Sequence, residues 1–205
     1  MKTFHIHIMG QVQGVGFRPF VYRLAQKFGV VGEVYNGIDG VHIFFNASET
    51  IAGEFYCALI ANAPAISQIT SSIILETANQ NFSEFKIVNS EYEGKHDVLV
   101  TPDFAMCADC RAELISGSST NRRAGYPFIT CNVCGPRYSI IHRLPFDREN
   151  TSMVKFEMCG SCKREYGEPV DRRYFSQTNS CSACGIRLSL HSSVNEIPEV
   201  DYISK

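Results

Sequence analysis

No stretch of the 205 residues approaches the ~18 consecutive apolar residues of a bilayer span, which excludes a transmembrane helix. The opening Met-Lys-Thr-Phe-His-Ile-His-Ile alternates polar and apolar residues, so it lacks the continuous apolar core of a secretion signal. With no export signal the expected compartment is the reducing cytoplasm, where disulfides rarely persist. Excess charge is missing too. The 19 Lys and Arg against 21 Asp and Glu leave a net charge of −2, whereas nucleic-acid binders usually carry a strongly basic domain. No Gly-x-x-x-x-Gly-Lys loop or other nucleotide motif occurs, so these residues are not expected to handle ATP by themselves. Cysteine is almost absent from the first half: Cys57 stands alone there, while eight of the nine cysteines follow residue 106.

That asymmetry divides the chain. Residues 1–94 hold five basic and eight acidic residues, and residues 95–205 hold 14 and 13. The polar segment 91–97 is the expected join. The expected domains are therefore 1–94 and 95–191, with 192–205 a linker or the truncated start of further domains.

The apolar period alternates between two and 3.6 along the first ninety residues. Phe4, Ile6 and Ile8 read as one face of a strand; Phe17, Phe20, Val21, Leu24 and Phe28 recur at helical spacing, with Gly29 closing the helix. Residues 30–35 and 41–45 read as strands around a turn at 36–40. Ile51, Phe55, Ala58 and Leu59 mark a second helix that Pro64 ends, and residues 69–75 and 82–88 supply more strand. The order βαββαβ is an α+β, ferredoxin-like split. Cys57, in an apolar helical segment, is expected to be a buried small hydrophobe. His5 and His7 share a strand face as a metal pair would, but no third ligand is near in sequence, and a structural role is expected.

Between the first strand and helix lies Gln13-Gly14-Val15-Gly16-Phe17-Arg18. Two glycines let backbone N–H groups turn toward one point beside a helix N-terminus, and an arginine there can fork two bonds onto phosphate oxygens. The residues alone leave open a glycine-rich turn with an incidental arginine. Whether Asn36, at the end of the second strand, converges on this loop is not fixed by sequence.

The eight later cysteines form four Cys-x-x-Cys pairs: Cys107/Cys110, Cys131/Cys134, Cys159/Cys162 and Cys181/Cys184. Two such turns separated by 20 or 18 residues have the spacing of a Zn(Cys)₄ ribbon. Flanking residues repeat as well. Asn121-Arg122-Arg123 parallels Asp171-Arg172-Arg173, and Cys134-Gly135-Pro136-Arg137 parallels Cys184-Gly185-Ile186-Arg187, at an offset of 50 residues. A duplicated unit that keeps both of its cysteine pairs suggests one ion per copy, two zinc ions in all, with interleaved pairing as the alternative. Disulfides fit the compartment poorly, and a rubredoxin-type iron site lacks any sign of a redox partner. The arginine pairs are expected to brace the ribbons against their anionic thiolates.

Val12-Gln13-Gly14-Val15-Gly16-Phe17-Arg18, with Gly32-x-Val34-x-Asn36 and Asp39-Gly40-Val41, resembles the acylphosphatase signature. The resemblance implies a phosphoryl group bound by residues 13–18 and Arg18, and an attacking water oriented by Asn36. Phe17-Arg18-Pro19-Phe20-Val21-Tyr22-Arg23-Leu24-Ala25 is similar to the extended motif of the HypF family. Cys134-Gly135-Pro136-Arg137, Leu144-Pro145-Phe146-Asp147-Arg148 and Asp171-Arg172-Arg173 look like that family too. Phe175, Thr178 and Ile186 depart from its usual His, Pro and Pro, which touches fine details of the second ribbon. Membership would imply carbamoyl phosphate as substrate and, through the complete enzyme, a HypE-type maturation protein as partner. Its C-terminal cysteine receives the carboxamide that becomes a cyanide ligand of [NiFe]-hydrogenase. The competing expectation is an inactive module whose ribbons dock a protein, and retention of both Arg18 and Asn36 favours the enzyme.

Overall fold

The structure, a computed structural model, describes residues 1–92, 98–118 and 120–189. Strands β1 (Lys2–Gln11), β2 (Val31–Gly37), β3 (Gly40–Ala47), β4 (Gln68–Thr77) and β5 (Phe85–Ile87) form one sheet in the order β4-β1-β3-β2-β5. Helices α1 (Phe17–Phe28) and α2 (Glu49–Ala61) make the crossovers of the expected βαββαβ split. Only β5, parallel to β2 at the edge, extends that scheme.

Period-2 burial explains the layering. Phe4, Ile6 and Ile8 of β1 point inward with Val41, Ile43 and Phe45 of β3, and all six are buried. Phe55 of α2 closes on Phe45 with ring centroids 4.9 Å apart, and Phe28 of α1 meets Phe55 at 5.5 Å. Gly29 ends α1 in the left-handed conformation (φ 63°), where its N–H reaches the carbonyls of Ala25 and Gln26.

The second half is built differently. It has two eight-residue helices, α3 (Ala108–Ile115) and α4 (Gly160–Gly167), joined by turns and short 3₁₀ segments. Its apolar cluster is small, centred on Cys110, Tyr126, Ile129, Cys131 and Cys134. Buried polar groups supply much of the remaining interior, including Arg123, Arg137 and Arg173, each no more than 4% exposed. Such a module depends on its cysteine clusters and polar bridges for cohesion, because so little apolar area leaves water.

One expectation fails. Cys57 is exposed. It lies two residues beyond buried Phe55, about half a helical turn away, and so projects outward. His5 and His7 are not alone: antiparallel pairing sets His7 opposite His42, and the β2–β3 turn brings Asp39 beside both. The expected join at 91–97 falls largely on 93–97, and the expected tail 192–205 falls wholly outside the described residues. Among the described residues no helix is long and apolar enough to cross a membrane.

Candidate active site and metal centres

The loop after β1 turns twice through left-handed glycines, Gly14 (φ 71°) and Gly16 (φ 74°), before Phe17 opens α1. Gly16 is the N-cap and offers no side chain, so the first amides of the helix remain available to an anion. Arg18 and Asn36 both line the cavity in front of this loop, together with Gly14, Gly16 and Phe17. Parallel β1 and β2, separated by β3, bring the two side chains to the same end of the sheet.

The rest of the loop serves the scaffold. Val15 is fully buried in the sheet core. Gln13 donates from Nε2 to the carbonyls of Gly37 (2.6 Å) and Gly40 (3.1 Å), and its Oε1 accepts from the Phe146 amide (2.9 Å). Its side chain thus fixes the β2–β3 turn that carries Asn36. Only its backbone is left for a phosphate.

The cavity's far wall comes from the cysteine-rich half, a contribution that sequence reading missed. Asn132, Arg137, Phe146, Phe175, Ser176 and Thr178 all line it. Arg137 is buried, which pushes its pKa down to about 10, still a cation at neutral pH. Its guanidinium donates to the carbonyls of Cys131, Asn132, Cys134 and Pro136, and its Nε donates to the Gly14 carbonyl of the glycine loop. A Cβ at Gly14 would press on Arg137 at 3.0 Å, and one at Gly16 on Asn132 at 3.1 Å. Both glycines therefore answer two demands, positive φ and a seat for the neighbouring finger.

Arg18 is already engaged. Its Nη2 donates to Asp147 Oδ1 at 2.6 Å and its Nη1 to Ser90 at 3.3 Å, while Ser90 donates to the other Asp147 oxygen. The next residue, Arg148, donates to the carbonyls of Gln177 (2.7 Å), Asn179 (3.0 Å) and Phe156 (2.6 Å). The segment 144–148 is thus a strut between the glycine loop and the second finger. Phe175 adopts a left-handed φ of 53°, an unusual conformation for an aromatic residue. Phe175 and Thr178 therefore sit in the cavity wall, not in a peripheral part of the second ribbon. Ser176 Oγ is, among the described residues, the one buried side-chain N or O atom left with no hydrogen-bond partner.

The cysteines gather within each copy of the repeat, as Cys107/Cys110/Cys131/Cys134 and Cys159/Cys162/Cys181/Cys184. Neighbouring sulfurs lie 3.7 Å apart in the first cluster and 3.6–3.8 Å in the second. A disulfide requires about 2.05 Å. Sulfurs at ~2.3 Å from a tetrahedral ion stand about 3.75 Å from one another, so the donor set fits a metal of zinc's size and preference. Each first pair straddles a helix N-terminus: Cys107 Sγ accepts the Cys110 amide at the start of α3, and Cys159 stands at the N-cap position of α4 without a side-chain cap bond.

The arginine pairs do brace the thiolates, but across the repeat. Arg122 and Arg123 lie against Cys162 of the second cluster at 3.5 and 3.6 Å, and Arg172 reaches Cys110 of the first at 3.3 Å. Glu165 and Glu113 bind the same arginines. Burial opposes ionisation of Glu165, but Arg123 and Arg122 outweigh it and hold its pKa down to about 2.

The acylphosphatase family model matches residues 4–87, and the HypF finger model matches residues 106–141 and 158–191. An acylphosphatase from Staphylococcus aureus (strain Newman) is 35% identical over 89 residues, which is 43% of this chain and all of that protein. Carbamoyltransferase HypF of Rhodobacter capsulatus is 41% identical over 199 residues, 97% of this chain but 26% of the relative. The chain belongs to the acylphosphatase family, and its cysteine-rich half matches the HypF finger model. A full-length HypF in a phosphate- and nucleotide-bound form superposes with a TM-score of 0.87 at 40% identity, over 95% of this chain and 26% of that one. HypF from T. kodakarensis gives 0.77 at 41% identity, over 90% of this chain and 23% of that one. The chain therefore spans about a quarter of the length of the HypF proteins it matches. In this HypF-type arrangement the fingers, through Asn132, Arg137 and Ser176, form part of the acylphosphatase cavity. The one sequence signal that could have found them is the Cys-Gly-Pro-Arg knuckle, whose arginine had no surface reason to recur.

Proposed function

We propose that this chain is the N-terminal part of a HypF-type carbamoyltransferase, and that its first domain hydrolyses carbamoyl phosphate to carbamate and phosphate. Residues 1–94 form the hydrolase domain and 95–191 the tandem finger domain. The observation that carries the reading is the meeting of Arg18 and Asn36 in one cavity with the left-handed glycine loop.

The substrate's phosphoryl oxygens would take the amides of residues 14–18 and the Arg18 guanidinium, which neutralise charge as it develops. Asn36 would hold a water in line with phosphorus. The water oxygen bonds to phosphorus, and the bond from phosphorus to the carbamoyl oxygen breaks. Carbamate leaves with that electron pair, and the water's proton passes to a phosphate oxygen or to solvent. A phosphate- and nucleotide-bound HypF relative supports phosphate as a ligand of this family. Each cysteine cluster would hold one zinc ion in a closed, structural site, two ions in all. The whole enzyme would use carbamate and ATP in domains beyond these residues. It would deliver a carboxamide to the C-terminal cysteine of a HypE-type partner, in the cytoplasm, toward the cyanide ligands of [NiFe]-hydrogenase.

The docking-module reading has one observation in its favour, the ion pair that already occupies Arg18. Phosphate release from carbamoyl phosphate, corrected for spontaneous decay, separates the two. The hydrolase reading expects Arg18→Ala to abolish the enzymatic part, with Asn36→Ala lowering turnover more than binding. Equal slow release by wild type and Arg18→Ala leaves the docking module.

A further inference from the structure

On the sheet face away from the helices, β1 and β3 place three imidazoles side by side. His7 and His42 are paired across the strands and stack with centroids 4.3 Å apart; His5, one diagonal step along, lies 5.2 Å from His42. The β2–β3 turn folds Asp39 over them. One carboxylate oxygen lies 2.8 Å from His42 Nε2 and the other 3.5 Å from His7 Nε2. These three donor groups fall within 4.8 Å of one another.

We propose that His7, Asp39 and His42 form a third metal site, for a divalent first-row cation such as zinc, separate from the cysteine clusters. Two imidazoles and one carboxylate are a donor set that zinc accepts, with room for water in the remaining position. The site also has the outer support that metal-bound histidines use. His42 Nδ1 is held by His5 Nε2 at 2.9 Å, which fixes the ring and directs Nε2 toward Asp39. Two glycines leave the donor atoms uncrowded, although at Gly40 the Ile8 carbonyl by itself already excludes a side chain. A Cβ at Gly37 would come within 2.6 Å of Asp39 Oδ1 and 2.9 Å of His42 Nε2, and one at Gly40 within 3.0 Å of His7 Nε2. Partial exposure of all three side chains, 14–34%, leaves an entry from solvent. An ion there would clamp the turn whose Gly37 and Gly40 carbonyls bind Gln13 on the other side. Occupancy would thus stiffen the support of Asn36 without touching substrate.

The test uses the full chain with its cysteine clusters already loaded, titrated with Zn²⁺ in a calorimeter while metal analysis follows stoichiometry. One further equivalent should bind below about 100 μM. Asp39→Asn and His42→Ala should each remove it and leave the two tightly held ions in place. His5→Phe keeps a stacked ring but loses the outer hydrogen bond, and should weaken the third equivalent about tenfold. Circular dichroism confirms that each variant is folded, with Asp39→Asn the variant least able to disturb the strands. Wild type that takes up no third equivalent overturns the site, as does a third equivalent that binds Asp39→Asn and His42→Ala as tightly as wild type. Neither result bears on hydrolysis, which Arg18→Ala tests separately.

Discussion

Arg123 and Arg173 occupy equivalent positions in the two fingers, and each serves the other finger. Arg123 donates from Nε to the carbonyl of Ser180 (2.9 Å) and from Nη2 to Glu165 (2.6 Å); Arg173 donates from Nε to the carbonyl of Thr130 (3.0 Å) and from Nη2 to Glu113 (2.6 Å). Even their local turns match, for Asn121 accepts the Arg123 amide and Asp171 the Arg173 amide. The duplication has become an exchange of arms: each cluster draws its four cysteines from its own copy and its bracing arginines from the other.

Arg123→Ala should therefore damage the second cluster, although the substitution lies in the first finger. It leaves Glu165 half-buried with one partner fewer, a loss on the order of 3 kcal/mol. Zinc release from single-cluster variants, followed with a chromogenic chelator, should be faster from Cys159/Cys162/Cys181/Cys184 than from the first cluster. Arg173→Ala should reverse the order. Faster release from the same finger as the mutation would mean that the exchange has no energetic weight.

Complete removal of metal should unfold the fingers and spare the sheet. The first half owns a continuous apolar core from Phe4 to Phe85, whereas the finger core is a handful of residues around the cysteines. Proteolysis after chelation should leave a resistant fragment of about the first ninety residues. Its hydrolysis of carbamoyl phosphate should fall well below that of the metal-loaded chain, because the wall of the cavity has gone.

Asp147→Asn should strengthen phosphate binding. On the proposed function the carboxylate would compete with substrate for Arg18, and the amide keeps the shape while removing the charge. Inhibition by inorganic phosphate should tighten about tenfold, the effect of roughly 1.4 kcal/mol, with KM falling and turnover unchanged or lower. If phosphate inhibition weakens instead, Asp147 orients Arg18 for substrate and does not mask it.

Ser176→Ala separates a substrate role from a structural one. The hydroxyl is buried and unpartnered, so its removal should be neutral or slightly stabilising in thermal melts. If Ser176 donates to bound phosphate or carbamate, kcat/KM should fall by about five- to tenfold despite unchanged stability. Loss of stability with unchanged kinetics would point to packing alone.

Much of the sheet was legible because its apolar residues alternate cleanly, as Phe4, Ile6 and Ile8 do, and because Gly29 and Pro64 punctuate the helices. The glycine loop was legible through its residue types. What sequence hid is long-range. Nothing local to Arg137 reveals that its charge is spread over five carbonyl groups, one of them 123 residues away at Gly14. Asp39 and His42 looked like turn and strand residues, and only the β1–β3 register sets them beside His7. Cys57 was misread because an apolar neighbourhood in sequence is not a buried face of a helix. Direction around the helix decides burial, and Phe55 and Leu59 had already claimed the inward side.

The seat that Asn132 and Arg137 take on Gly14 and Gly16 also sets an order of events during synthesis. The loop at residues 13–18 is synthesised well ahead of its last wall, Ser176 and Thr178, which follows by roughly 160 residues. At ribosomal speeds that interval is on the order of ten seconds. Throughout it the sheet can form while the anion nest stands open on one side. Closure awaits both the late residues and the ions that would shape their fingers, so a loop made early is late to become a finished site.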